Sequence, residues 1–187
     1  VGETAKLLWK VYLLFSVVLF LFLSAGDMNV FESICHTMTT MATAGFSTRA
    51  ASIGGFESAY IEWVSVVFMF LAGTNFTLHF LALSGRPKAY FRDSEFWAYT
   101  LLVFGATVIV SLALCRSFDD LDALDALRAA AFQVTSILTT TGYASVDYEQ
   151  WAAAPVALMM IMALMFAGGM AGSTRGGFKI VRHLLVT

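Results

Sequence analysis

Four stretches of this chain run without Asp, Glu, Lys or Arg for long enough to cross the hydrocarbon core of a bilayer, about 20 residues for roughly 30 Å. They are residues 7–25, 64–85, 96–115 and 150–174, with Lys10 close enough to one end of the first to snorkel to the interface. A soluble fold of 187 residues has no place to hide four such segments. Composition agrees: 59% of the chain is apolar and 13% is charged, about half the usual quarter. These values exclude a disordered chain, a nucleic-acid-binding domain and most soluble enzymes, and leave an all-α integral membrane protein. The first stretch is too long for a cleaved signal peptide, and no small-residue cleavage site precedes Asp27. Two cysteines, Cys35 and Cys115, allow neither a disulfide framework nor a CxxC metal site. The chain starts at Val1 rather than Met, and residues 180–187 read as helix still running, so both ends are expected to be cut from a longer protein.

Residues 33–48 and 129–146 are also uncharged, but they are rich in Thr and Ser and each closes on a glycine. As lipid-facing spans they would leave backbone groups without partners, and non-helical backbone survives at membrane depth only inside protein or beside water. The reading is a re-entrant hairpin, a short helix dipping in and a glycine-containing strand returning; an extramembrane amphipathic helix and loop is the alternative. A repeat favours the hairpin. Thr43-Ala44-Gly45-Phe46-Ser47 aligns with Thr140-Thr141-Gly142-Tyr143-Ala144, 97 residues on, and Thr39 aligns with Ser136. Phe70-Leu71-Ala72-Gly73 likewise resembles Phe166-Ala167-Gly168-Gly169. The expected order is therefore span–pore loop–span twice, residues 1–85 and 96–187, joined by a cytoplasmic connector at 86–95. Two crossings per unit give both units the same orientation, arranged around an axis normal to the membrane. That geometry suits a pore.

Charge placement orients the chain. With the N-terminal end cytoplasmic, eight basic residues fall inside and three, Arg49, Arg116 and Arg128, fall outside, in the sense of the positive-inside rule. Ten of the thirteen acids fall outside, so the outer face sums to −7 and the inner face to +5. Both glycine hairpins open on the negative face, which concentrates cations. A desolvated monovalent cation needs several oxygens in place of its water, and backbone carbonyls supply them without fixed charge that would hold it too tightly. Gly45 and Gly142 give the chain the freedom to turn successive carbonyls toward one axis. Thr43, Thr140 and Thr141 add hydroxyls that line or brace the strand. Neither hairpin core holds an acid, which argues against a carboxylate-built divalent site.

Residues 39–48, 72–93, 133–143 and 167–182 resemble the TrkH/KtrB/HKT superfamily of potassium transporters, and its TrkH branch most closely. The resemblance implies four span–pore loop–span repeats around one potassium pathway, of which this chain is similar to the second and third. It implies a selectivity filter to which Thr43, Ala44, Gly45 and Phe46 contribute from one loop, and Thr140, Thr141, Gly142 and Tyr143 from the other. Both copies keep glycine, where some sodium-transporting relatives carry serine in one repeat. It further implies a homodimer, a cytoplasmic nucleotide-binding regulatory subunit of the TrkA type, no resident cofactor, and a place in the cytoplasmic membrane. The basic segments 86–92 and 179–183 are the expected inner-face contacts for that subunit.

A second motif packs five glycines into residues 168–177, which no stable straight helix tolerates. A small-residue packing face is the plain reading. The resemblance implies an intramembrane gate below the filter, formed by Gly168, Gly169, Gly172, Ser173, Thr174, Arg175, Gly176 and Gly177. Gly73-Thr74-Asn75 is its milder counterpart, a kink. His36 reads as a hydrogen-bonded pore-helix residue, His79 as a packed helix residue, and His183 as interfacial. Asp119, Asp120, Asp122 and Asp125 suit an outer loop and the first turn of a pore helix, where acids complement the dipole. Trp9, Trp63, Trp97 and Trp151 stand near span ends, as interfacial anchors do. No nucleophile–base pair, phosphate loop or dinucleotide fingerprint is present, so no enzyme is expected. Rival readings are a sodium-permeable or poorly selective relative, and a non-conducting membrane subunit that uses its glycines for packing.

Arg175 departs from the small residue that relatives often carry, and a guanidinium near the bilayer centre is too costly to face lipid. If it stands in the ion path, Arg175→Ala raises K⁺ flux in reconstituted vesicles with ion preference intact, and Arg175→Lys keeps most of the barrier. Equal flux for all three proteins would reject the gate role.

Overall fold

The computed structural model describes residues 2–118, 121–166, 170 and 172–174, and their regular structure is entirely helical. Helix α1 spans Gly2–Ser24 and helix α6 spans Ser94–Ser117; both are long and apolar enough to cross a membrane. Nothing inside α1 from Lys6 onward breaks it, since that segment has neither Pro nor Gly. Helix α6 starts where the Asp93 carboxylate accepts a hydrogen bond from the Phe96 N–H at 2.8 Å, closing an orphan donor of the first turn. Leu13, Leu14, Val17 and Leu21 stay exposed along α1, and Leu101, Phe104, Val108 and Leu112 along α6. Val11, Leu19 and Leu23 on α1, and Tyr99, Val103, Val110 and Leu114 on α6, are buried. Helices that are apolar on the exposed face as well as the packed one belong in lipid.

Each long helix precedes a short polar one. Helix α2 spans Val30–Met41 and opens on a reciprocal capping box between Asn29 and Glu32. Helix α7 spans Ala123–Leu138, with Asp122 and Asp125 at its start. A loop without strand or helix follows each, then a short 3-10 turn (Ser52–Phe56 and Tyr148–Ala153), then a second apolar helix. After α2 that second helix is broken. Residues 64–85, expected as one crossing with a mild kink, are α3 (Ala59–Ala72) and α4 (Phe76–Leu83), bent by 98°. Gly73 lets the Tyr99 hydroxyl and the Thr139 methyl press against the chain, where a Cβ would lie 2.5 Å and 2.8 Å from them. The Asn75 side chain restarts the helix by accepting from the Thr77 N–H. In the second half, α8 is described over Pro155–Phe166, and residues 167–169, which follow it directly, lie outside the described residues. A short helix, α5, at Lys88–Arg92 joins the halves.

Helix α7 packs against α3, α6 and α8 and so belongs to both halves. One core gathers Tyr99, Val110, Leu114, Val134, Leu138 and Ile161, and the other gathers Leu19, Leu23, Met41, Ile61 and Met69. Phe132 and Tyr143, from the second half, are buried in the first-half core. Close packing carries such contacts, because lipid tails are as apolar as the side chains. Trp9, Trp63 and Trp97 are exposed as interfacial anchors require, but Trp151 is 5% exposed and packed in the second-half core, on a 3-10 turn that packs against α8.

A charged pair locks the α3–α7 seam: Arg128 donates to Glu62 at 2.8 Å and to Asp125 at 2.8 Å, with Glu62 only 9% exposed. Arg128→Leu should cost about 2 kcal/mol, between an exposed and a fully buried pair, because it strands the Glu62 carboxylate. Adding Glu62→Leu should regain most of it. Thermal unfolding in detergent reads both, and an unchanged midpoint for the single variant would show the seam carries no weight.

Candidate functional site

The two short helices end identically. At α2, the Thr43 N–H donates to the Thr40 carbonyl at 3.0 Å and the Ala44 N–H to the Thr39 carbonyl at 2.8 Å. At α7, the Thr140 N–H donates to the Ile137 carbonyl at 3.0 Å and the Thr141 N–H to the Ser136 carbonyl at 2.9 Å. This is the Schellman closure, which needs a left-handed residue just past the helix and nearly always uses Gly. Here Thr43 (φ 50°) and Thr140 (φ 55°) occupy it. A β-branched residue in that region costs about 1–3 kcal/mol, a strain that concentrates at functional sites. Gly45 (φ 68°) and Gly142 (φ 86°) are left-handed as well, while Ala44 and Thr141 between them are not. Alternating handedness aims successive carbonyls to one side instead of alternate sides, and both loops have it at the same positions.

The loops touch. A Cβ on Gly45 would lie 1.9 Å from the Thr141 carbonyl oxygen and 3.2 Å from the Gly142 carbonyl carbon, so only glycine lets the first loop lie against the second. A Cβ on Gly142 would meet nothing within 4 Å. The hydroxyls act as braces: Thr43 Oγ1 donates to the Ala42 carbonyl at 2.8 Å, and Thr141 Oγ1 is 2.8 Å from Thr139 Oγ1. Beyond the loops, the Gly54 N–H donates to the Ala144 carbonyl at 3.1 Å and the Ala144 N–H to Ser52 Oγ at 3.2 Å, so the segments leaving the two loops also pair.

Tyr143 and Phe46, at equivalent places, behave differently. Tyr143 is fully buried: Ser136 Oγ donates to its carbonyl at 2.7 Å, and its hydroxyl lies 2.5 Å from Thr39 Oγ1 and 3.2 Å from Thr40 Oγ1 on α2. Phe46 is 75% exposed. On the flank, Arg49 donates to Glu32 at 2.9 Å and to the Gly55 carbonyl at 2.6 Å, and stacks on Phe56. The Arg49 hydrogen bond holds the Glu32 carboxyl below the usual carboxylate range. Two of the three basic residues assigned to this face, Arg49 and Arg128, are thus neutralised by adjacent acids. Asp119 and Asp120 lie outside the described residues.

Of the expected gate, Gly168, Gly169, Arg175, Gly176 and Gly177 lie outside the described residues; Gly172, Ser173 and Thr174 are within them, with Met170. These residues dock on the α3–α4 break. Thr174 Oγ1 donates to the Ala72 carbonyl at 3.3 Å, the Met170 N–H to the Gly73 carbonyl at 3.4 Å, and the Phe76 N–H to the Gly172 carbonyl at 3.2 Å. The Phe70 carbonyl accepts from Thr74 Oγ1 and the Tyr99 hydroxyl, and the Leu71 carbonyl from His79 Nε2 at 2.9 Å. The carbonyls of Phe70, Leu71, Ala72 and Gly73, at the end of α3, each accept a hydrogen bond. His79, buried, also meets the Tyr90 hydroxyl through Nδ1, so it is a packed structural residue. Sequence reasoning missed this docking, and Asn75 as a helix cap; the Gly-Thr-Asn run just before an apolar octet was the available signal for the cap.

Two variants test the seating of the loops. Gly142→Ala pays only for its backbone angle, about 1–2 kcal/mol. Gly45→Ala pays that and the collision with Thr141, so it should lower the unfolding temperature in detergent further. The reverse order would contradict the contact. Acid should also loosen the Glu32–Arg49 flank: because the Glu32 value is lowered on folding, its contribution is complete above about pH 5 and fades as pH falls through that lowered value. Arg49→Gln should abolish this acid-dependent part of the unfolding curve, and an unchanged pH profile would show that the pair is not its source.

The whole chain, residues 1–187, matches the TrkH family, described as cation transport protein. It is 39% identical to the Trk system potassium uptake protein TrkH of Halomonas elongata, over all of this chain and 38% of that one. It is 40% identical to the protein of the same name from Escherichia coli K12, again over 38% of its length. The crystal structure of the potassium transporter TrkH from Vibrio parahaemolyticus superposes with a TM-score of 0.93 at 36% identity, over 99% of this chain and 40% of that one. The chain thus spans about two fifths of the length of these relatives. The fold, the apolar helices and the match along its full length place this chain in the TrkH family of membrane cation transport proteins.

Proposed function

We propose that this chain supplies two of the four repeats around a potassium pathway in the cytoplasmic membrane, with its N-terminal end cytoplasmic, as part of a longer polypeptide. The observation that carries this reading is the repeated left-handed alternation at Thr43/Gly45 and Thr140/Gly142, in two loops that lie against each other. K⁺ enters an outer vestibule with an excess of acids. There Arg49 and Arg128 raise little barrier, since each is paired with carboxylates. The ion sheds water against the carbonyls of residues 43–46 and 140–143, and two further loops complete the ring. The contrast between Tyr143 and Phe46 supports those further units. Tyr143 seats on the short helix of the unit before it, and an equivalent seat for exposed Phe46 needs a unit preceding this chain. Below the filter, residues 168–177 form the gate, seated on the α3–α4 break through Thr174, Gly172 and Met170. The complete protein is a homodimer that binds a cytoplasmic nucleotide-binding regulatory subunit of the TrkA type on the basic segments 86–92 and 179–183.

In liposomes holding the complete polypeptide, Gly45→Ser and Gly142→Ser should each lower the K⁺ over Na⁺ permeability ratio several-fold, and Thr141→Ser should change it less. Unchanged ratios in both glycine variants would remove the filter assignment. A wild type that passes both ions equally would favour the sodium-permeable reading, and one that passes neither would favour the non-conducting subunit.

A further inference from the structure

His36 stands behind the first glycine loop and touches both loops. Its Nδ1 lies 2.8 Å from the Glu32 carbonyl one helical turn back, and its Nε2 lies 2.9 Å from Ser47 Oγ, two residues beyond Gly45. A carbonyl can only accept, so a ring with one proton carries it on Nδ1, and Nε2 accepts the Ser47 O–H. Ser47 Oγ in turn accepts the Arg49 N–H at 3.1 Å, which fixes the hydroxyl's direction. The other faces of the ring meet aromatic side chains: Phe56 edge-on at 5.3 Å between centroids, and Tyr143 of the second loop at 6.0 Å. The Tyr143 hydroxyl donates toward the His36 carbonyl at 3.3 Å. The residue is fully buried, so water does not compete for these contacts.

The second repeat shows that this is a specific pair and not a general helix-to-loop brace. The 97-residue offset puts Gln133 in the place of His36 and Ala144 in the place of Ser47. Gln133 is also fully buried, but its amide oxygen and nitrogen have no hydrogen-bond partner, and Ala144 has no hydroxyl to offer. The second loop is held instead from behind by Ser136 and from across by the Tyr143 contacts on α2. Both arrangements converge on the His36 turn of α2.

We propose that His36 is a positioning residue for ion selectivity: through Ser47 and the Tyr143 ring it holds the outer ends of the two glycine loops in mutual register. It touches no ion itself. The proposal rests on the filter reading given above. A loop that aims carbonyls at a cation discriminates by where those oxygens sit, so releasing one end relaxes the ring without emptying the site.

The test uses the complete polypeptide in liposomes, with the K⁺ over Na⁺ permeability ratio as readout and the folded fraction measured by size-exclusion chromatography. His36→Leu removes the acceptor, and Ser47→Ala removes the donor together with the acceptor of the Arg49 N–H. Each should lower the ratio about three- to ten-fold, the effect of one neutral hydrogen bond. The double variant should be no worse than His36→Leu alone, since Ser47 acts through the His36 ring. His36→Gln keeps an acceptor and should restore most of the ratio. A structural role alone predicts less folded protein with an unchanged ratio, and that result in His36→Leu and Ser47→Ala would overturn the proposal, as would additive losses in the double variant. Gly45→Ser is the control: if it also leaves the ratio unchanged, the filter reading has failed; if it lowers the ratio while the His36 and Ser47 variants do not, only the positioning role has.

Discussion

Everything in this structure depends on one constraint: where the chain leaves helical geometry among membrane helices, each N–H and C=O it releases must find a partner inside the protein or face water or an ion. Among the described residues it does so at the two glycine loops and the α3–α4 break, where named groups take up many of the released hydrogen bonds. The loops close their helices with Schellman hydrogen bonds and then brace their own hydroxyls. The break gives its carbonyls to Thr74, Tyr99, His79, Thr174 and the Met170 N–H. The strained Thr43 and Thr140 persist because these contacts over-determine them.

Other contacts come from the opposite half of the chain, and these turn two similar units into one body. Thr174 and Met170 cap a break about a hundred positions earlier in sequence. Tyr143 is seated on α2, Arg128 on Glu62, and Ala144 on Ser52 and Gly54. A shift in one glycine loop is therefore felt by the other through direct contact, the Gly45–Thr141 approach being the shortest route.

Much of this was legible in the sequence because membranes impose length and polarity rules that single residues obey. Charge-free runs found α1 and α6, and the 97-residue offset found both glycine loops and matched Thr39 with Ser136 before any geometry. The break at Gly73 read as a kink, since Gly-Thr-Asn does not announce an angle; Tyr99 and Thr139, which pack against the glycine at the 98° bend, are remote from it in sequence. Trp151 read as an interfacial anchor for the same reason, its burial being decided by the second-half core it joins. His36 was recognisable as a hydrogen-bonded helix residue, but its link to Ser47 spans eleven positions and its contact with Tyr143 more than a hundred, beyond any local pattern.

The central claim is that carbonyls of the two glycine loops together coordinate a monovalent cation. Thallium(I) replaces K⁺ in such oxygen cages and scatters anomalously, so a crystal structure of the complete polypeptide in a thallium salt tests it directly. The account predicts an anomalous peak between residues 43–45 and 140–142, within coordination distance of both sets of carbonyls and displaced by excess K⁺. A protein that transports thallium yet shows its peak elsewhere, with none between these loops, would contradict it.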